Sequence, residues 1–262
     1  MTNLWAIARK ELGIFFTTTI AYAGFGAYAF LMGMVFVSQL NRYQQATSIY
    51  LSRQRPDLLE QLNFNDSILT PMFSSGIWMF LFFVPLLTMR SFAEEKSQNT
   101  FELLMTCPIT SWQLVLGKFV ATASMIVVMA LIPVVFPVIL SIYGTSSGVS
   151  VEWNPVWSAL LCMSLMGITF AALGLLASAA TETQLLAALV TFALLLLGYV
   201  MPFLAARVEG DWSEILTYVS PVSHVTRGLQ GRLLVEDLVY FVSVSAGLLV
   251  WTQRIVESHR WR

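Results

Sequence analysis

The chain has 262 residues, of which 57% are hydrophobic and 11% charged, with 14 Lys and Arg against 15 Asp and Glu. A soluble domain carries about 25% charged residues, so this composition excludes a water-soluble enzyme or binding module. A bilayer protein remains, and no nucleic-acid partner is expected.

A helix needs about 20 apolar residues to cross roughly 30 Å of hydrocarbon, because every backbone amide must find its partner within the segment. Six uncharged runs are candidates, from Ile20 to Leu40, Ile68 to Met89, Phe119 to Tyr143, Val156 to Ala180, Leu185 to Ala206 and Leu238 to Gln253, the last with 16 residues, just under the usual minimum of about 17. The last is the shortest, with Glu236 and Asp237 suited to its first turn and Arg254 able to snorkel at the other end. The expected fold class is an all-α integral membrane protein of six transmembrane helices, and one domain over residues 1–262 accounts for the chain.

Ahead of the first run, Leu4, Ala8, Leu12 and Phe15 form one stripe at helical spacing, flanked by Trp5 and Phe16, while Arg9, Lys10 and Gly13 point elsewhere. This predicts an amphipathic helix over about 3–16, lying in the headgroup plane or, alternatively, extending the first span by two turns. Without a basic n-region, and despite the Ala21-Tyr22-Ala23 triplet, no cleaved signal peptide is expected. The loop from Asn41 to Asp66 contains Arg55-Pro56-Asp57, which interrupts a helix, so short outer-face helices are expected there.

Between the second and third runs, Asn99 followed by Glu102 reads as an N-cap with its capping-box acid, starting a helix at about Thr100. Pro108 ends it by Cys107, and Phe101, Leu104 and Met105 share one face while Glu102 and Thr106 face away. Thr110 and Gln113 form a second capping box leading into the third run. The product is a short amphipathic helix held between two spans. Its apolar stripe suits either lipid or a groove on a partner protein.

Farther on, Gly144, Gly148 and Asn154-Pro155 read as turns, and the linker from Thr181 to Gln184 forces the fourth and fifth spans into an antiparallel hairpin. In the fourth run Gly167, Ala171, Gly174, Ala177 and Ser178 recur at spacings that let another helix approach closely. The segment from Arg207 to Glu236, with Pro221, Gly228 and Gly231 among Val219, Val222 and Val225, predicts short or re-entrant outer helices before the sixth span. Cys107 and Cys162 lie in a loop and a span, and no disulfide is expected.

With six spans both termini share one side, and Lys and Arg near the span ends orient the chain. One side holds Arg9, Lys10, Arg90, Lys96, Lys118, Arg254, Arg260 and Arg262, and the other Arg42, Arg53, Arg55, Arg207, Arg227 and Arg232. The first, which has more of them and both termini, is assigned to the cytoplasm.

The loop from Arg90 to Lys118 carries a resemblance. Met89-Arg-Ser-Phe-Ala-Glu-Glu-Lys96, then Thr100-Phe-Glu-Leu-Leu104, Cys107-Pro108 and Gly117-Lys118, resemble the coupling-helix region of ABC type-2 permeases. Ser220-Pro-Val-Ser-His-Val-Thr-Arg-Gly-Leu229 is similar to the stretch before the last span in the gliding-motility branch of that family. One departure is Asn99, where the family usually has Gly, and Asn tolerates left-handed geometry better than most residues.

The resemblance implies that Glu94, Glu95 and Lys96 stand at the entrance to a cytoplasmic coupling helix formed by Thr100, Phe101, Glu102, Leu103 and Leu104 and closed by Pro108. That helix would fit a cytoplasmic ABC ATPase subunit, present in two copies. A second permease chain is implied, as homodimer or heterodimer, and the gliding-motility branch adds a membrane-anchored accessory protein with a large outer domain. The expected location is the cytoplasmic (inner) membrane of a bacterium.

No stretch fits G-x-x-x-x-G-K-[ST], since Trp112 and Phe119 occupy the required positions around Gly117-Lys118. ATP and Mg are therefore expected on the partner ATPase, with no cofactor, metal or catalytic residue in this chain. An intramembrane enzyme would need a catalytic set inside the spans, yet none of the six runs contains Asp, Glu, His, Lys or Arg. His224 is expected to be a surface or hydrogen-bonded residue. A mechanotransmitting subunit that moves no solute stays open beside an exporter of hydrophobic cargo. Tyr22, Phe25, Tyr28, Gly167, Ala171 and Gly174 are candidates for a pathway or a dimer interface.

Overall fold

The structure is a computed structural model that describes residues 2–52, 63–101, 109–143, 151–208 and 210–258. In hydrocarbon a backbone must satisfy its own amides, and the described residues hold helices and no strand. The helices are α1 (Thr2–Thr17), α2 (Thr19–Ser52), α3 (Thr70–Thr88), α4 (Ala93–Ser97), α5 (Ser111–Leu131), α6 (Val135–Tyr143), α7 (Trp153–Ala180), α8 (Gln184–Ala205), α9 (Asp211–Val219), α10 (Pro221–Leu229) and α11 (Val235–Ser258). Six stretches are long and apolar enough to cross a membrane: α2, α3 with its flanking turns, α5 with α6, α7, α8 and α11.

The spans fall where the apolar runs place them, with three differences. α2 continues through Ser52, so its 34 residues are about 51 Å long at 1.5 Å per residue, well beyond a membrane's width. Residues 41–52 are polar but contain no breaker, and polarity alone does not end a helix. The third span is interrupted by a 3₁₀ turn over Ile132–Val134, because Pro133 lacks an N–H and its ring crowds the preceding turn. Asn154-Pro155 is not a turn but lies in the first turn of α7, where proline's missing donor goes unused. Arg55-Pro56-Asp57, Gly144 and Gly148 lie outside the described residues.

The fourth span, α7, is the most buried of the six, while the first and fifth are the least. α7 packs against α3, α5, α8, α10 and α11. Its small residues make this possible: a Cβ added at Gly167 would overlap Ile126 and Phe80, and one at Gly174 would overlap Thr88. The stripe of Gly167, Ala171 and Gly174 is therefore filled by this chain's own second and third spans.

At one end of the bundle α9 and α10 form the short helices expected before the sixth span. His224 and Asp237 are both 1% exposed, with His224 Nδ1 2.6 Å from Asp237 Oδ1 and Nε2 2.9 Å from the Tyr218 carbonyl. The Tyr240 ring stacks on His224 at 4.0 Å, and its hydroxyl donates to the Val219 carbonyl at 2.6 Å. Ser158 Oγ donates to the Gly228 carbonyl at 2.8 Å. His224 is thus a buried, hydrogen-bonded tie of α9 and α10 to α11.

Replacing Gly174 with Val forces a branched side chain into Thr88, and overpacking of this kind costs about 1–3 kcal/mol. The thermal unfolding midpoint in detergent is expected to fall by several degrees for Gly174→Val. It should not fall for Gly247→Ala, where an added Cβ meets nothing within 4 Å.

Candidate functional site

The loop between the second and third spans is built against the end of the bundle opposite His224. Its far boundary is the predicted capping box: Thr110 Oγ1 accepts from the Gln113 amide at 3.3 Å, and Gln113 Oε1 accepts from the Thr110 amide at 3.2 Å. One turn later Gly117 allows α1 to come close, since a Cβ there would stand 2.7 Å from Ile7 Cγ2 and 3.3 Å from the Leu4 carbonyl. The stripe of α1 consequently rests on the third span. Ala8 is fully buried, and Leu4, Ile7, Leu12 and Phe15 are half-buried.

Beside that contact Lys118 is only 2% exposed. Its ammonium has three protons and meets three acceptors: Glu11 Oε1 at 2.8 Å, Glu95 Oε1 at 2.8 Å and the Ser91 carbonyl at 2.6 Å. The Phe92 ring lies 5.2 Å from Nζ, within cation–π reach. One buried cation thereby joins α1, the turn after the second span, α4 and the third span.

A second set of bonds comes from α7. Ser178 Oγ accepts from the Phe92 and Ala93 amides at 3.0 and 3.1 Å, and donates to the Met89 carbonyl at 3.2 Å. The Lys96 ammonium donates to the Ala179 carbonyl and lies 5.6 Å from the centre of the Phe101 ring. Arg90 clamps Glu94 through Nε at 2.9 Å and Nη2 at 3.2 Å.

The profile described as ABC-2 family transporter protein matches residues 29–252. The chain belongs to the ABC-2 transporter family. It is similar to the probable multidrug ABC transporter permease YbhR of Escherichia coli strain K12, 31% identical over 154 residues. The match covers 55% of this chain and 38% of that relative, and the counterpart in Escherichia coli O157:H7 gives the same figures. The ABC-2 protein is thus a multi-pass membrane protein, and the matched stretch spans well under half the length of YbhR.

In this ABC-2 protein the residues read as the coupling entrance turn inward. Glu95 binds Lys118, Lys96 binds Ala179 and Glu94 binds Arg90. Phe101 is 7% exposed and packs with Phe92, Leu114, Val115, Leu175 and Leu249. Asn99 does not act as the expected N-cap: its φ of 56° is left-handed, whereas an N-cap is extended. It instead closes α4, because the Thr100 amide reaches the Glu95 carbonyl at 2.9 Å and the Asn99 amide reaches the Lys96 carbonyl at 3.1 Å. This is the Schellman bond pair, in which Asn stands in for Gly. Phe101 is helical, and Glu102, Leu103, Leu104 and Pro108 lie outside the described residues.

The other candidates separate. Tyr22 is 60% exposed and Tyr28 fully buried, with the Tyr28 ring against Phe80 and Phe83. Phe25 lines an apolar cleft beside α1. Glu11, Lys118 and Ser178 were not singled out as site residues by sequence, although Glu11 stands on the apolar stripe of α1. An acid on such a stripe is the signal that finds a buried cation.

Removing one partner of a buried ion pair costs about 3–5 kcal/mol because the remaining charge is uncompensated. Lys118→Met is expected to lower the thermal unfolding midpoint markedly, and the triple variant Glu11→Gln, Glu95→Gln, Lys118→Met to recover most of the loss. Equal midpoints for Lys118→Met and the wild type would show that the cluster contributes nothing.

Proposed function

We propose that this chain is the permease subunit of an ABC exporter, coupling ATP hydrolysis by a separate cytoplasmic ATPase subunit to movement of a substrate across the bacterial cytoplasmic membrane. One observation carries the reading. The described residues on either side of 102–108 are anchored, Phe101 by packing into the bundle and Thr110 by its capping box with Gln113 at the start of the third span. A push from a partner that reaches either anchor is passed to the spans.

Both termini, α1 and this loop then face the cytoplasm, and Glu102, Leu103, Leu104 and Pro108 form the surface offered to the ATPase, where ATP and Mg are bound. Glu94, Glu95 and Lys96 act from behind, orienting the segment through Arg90, Lys118 and Ala179. Two permease chains and two ATPase chains make the working unit. The first and fifth spans, least buried in the single chain, are the faces available to the second permease. The Ser220–Leu229 resemblance supports membership of the gliding-motility branch, with its accessory outer-domain protein. The multidrug role in the name of YbhR supports an amphipathic or hydrophobic cargo.

Glu102→Ala and Leu104→Asp are expected to reduce ATPase stimulation and export together by on the order of tenfold, within the 1–3 kcal/mol typical of coupling between sites. Reconstitution with the partner ATPase in vesicles measures both. Full stimulation and export in these variants would remove the coupling role. Vigorous hydrolysis with no cargo moved, across lipids, glycans and drugs, would instead identify a mechanotransmitting subunit.

A further inference from the structure

Two clefts meet where α1 turns into α2, and the reading above uses only the Arg90–Glu94 and Glu95–Lys118 contacts in the wall of one of them. The inner cleft is lined by Phe25, Phe83, Leu86, Leu87 and Met129, with Gly24 on its wall. The outer one has mainly polar and charged side chains on its wall, among them Lys10, Glu94 and Gln98. Phe15, Thr18 and Arg90 line both, so the two form one channel with an apolar slot and a charged mouth. From Phe83 to Arg90 the slot follows two turns of the second span, about 10 Å at 1.5 Å per residue. Trp5 and Phe16, 65% and 53% exposed on α1, suit the interfacial belt where aromatic rings collect.

We propose that this channel binds one zwitterionic phospholipid with a primary ammonium headgroup, its phosphate between Lys10 and Arg90 and an acyl chain in the slot. The charge pattern selects this class. Among the mouth's charged side chains Lys118 is consumed by Glu11 and Glu95. Lys10 is exposed and has no ion-pair partner among the described residues. Arg90 gives Nε and Nη2 to Glu94, which leaves Nη1 for a phosphate oxygen, and charge-assisted bonds of this kind are strong. Glu94 is one-quarter exposed and accepts from an ammonium. A choline headgroup has no N–H to donate to it. A net anionic headgroup meets a mouth with as many acids as cations, Glu11, Glu94 and Glu95 against Lys10, Arg90 and Lys118.

The site is tested on the delipidated full-length permease alone, without ATPase or transport, so its outcome is separate from that of the coupling reading. Phosphatidylethanolamine, phosphatidylcholine and phosphatidylglycerol with matched acyl chains are added in detergent, and retention is read by native mass spectrometry beside the thermal unfolding midpoint. The expected result is one retained phosphatidylethanolamine per chain, with at least fivefold lower occupancy for the other two lipids and a midpoint several degrees higher only with the first. Gly24→Phe, built where an added Cβ meets nothing within 4 Å, fills the slot and removes retention. Lys10→Ala lowers retention while leaving the lipid-free midpoint unchanged. Equal retention of all three lipids, or undiminished retention in both variants, overturns the proposal.

Discussion

An ammonium group shut away from water must have all its protons taken by acceptors, and Lys118 imposes that requirement on three separate stretches of chain. Glu11 comes from α1, the Ser91 carbonyl from the turn after the second span, and Glu95 from α4. Each must arrive at the start of the third span for the cation to be tolerated there. Gly117 makes the arrival possible, because α1 can approach only where the third span has no side chain. The placement of α1 follows from two adjacent residues, one with nothing to clash and one with a charge to satisfy.

The fourth span supplies the complementary constraint. Gly174 lets the second span come close at Thr88, and one turn further along the same face Ser178 bonds the backbone on both sides of the bend that follows. A small residue and a hydroxyl four apart thus set both the packing distance and the direction in which the chain leaves. α4 is only five residues long, far too short to persist alone, and owes its existence to Ser178, Lys118 and the left-handed Asn99.

Much of this was legible in the sequence, for identifiable reasons. Span count follows from apolar run length, and the Thr110–Gln113 box and the α1 stripe are local patterns whose geometry needs no tertiary partner. What escaped depends on contacts distant in sequence. Asn suits both an N-cap and a left-handed C-terminal position, and only the bonds from Thr100 and Asn99 back to α4 decide between them. Glu95 and Lys96 read as the entrance to the coupling helix, and nothing local announces that their partners sit at positions 118 and 179. The extension of α2 to Ser52 escaped because the end of an apolar run marks a change of surroundings, not of backbone.

The cluster also restricts how this end of the molecule can move. Sliding the loop past the third span would pull Glu95 from Lys118 and leave a buried cation with one acid, at a cost of about 3–5 kcal/mol. Carrying α1, α4, the base of the third span and the end of α7 together breaks none of these bonds and keeps those of Ser178 and Lys96 as well. The rigid-body movement is the lower in energy. A displacement at Phe101 or Thr110 is then shared by α1, the third span and the end of α7, and the 3₁₀ break at Ile132–Val134 is where the third span can absorb a change of direction.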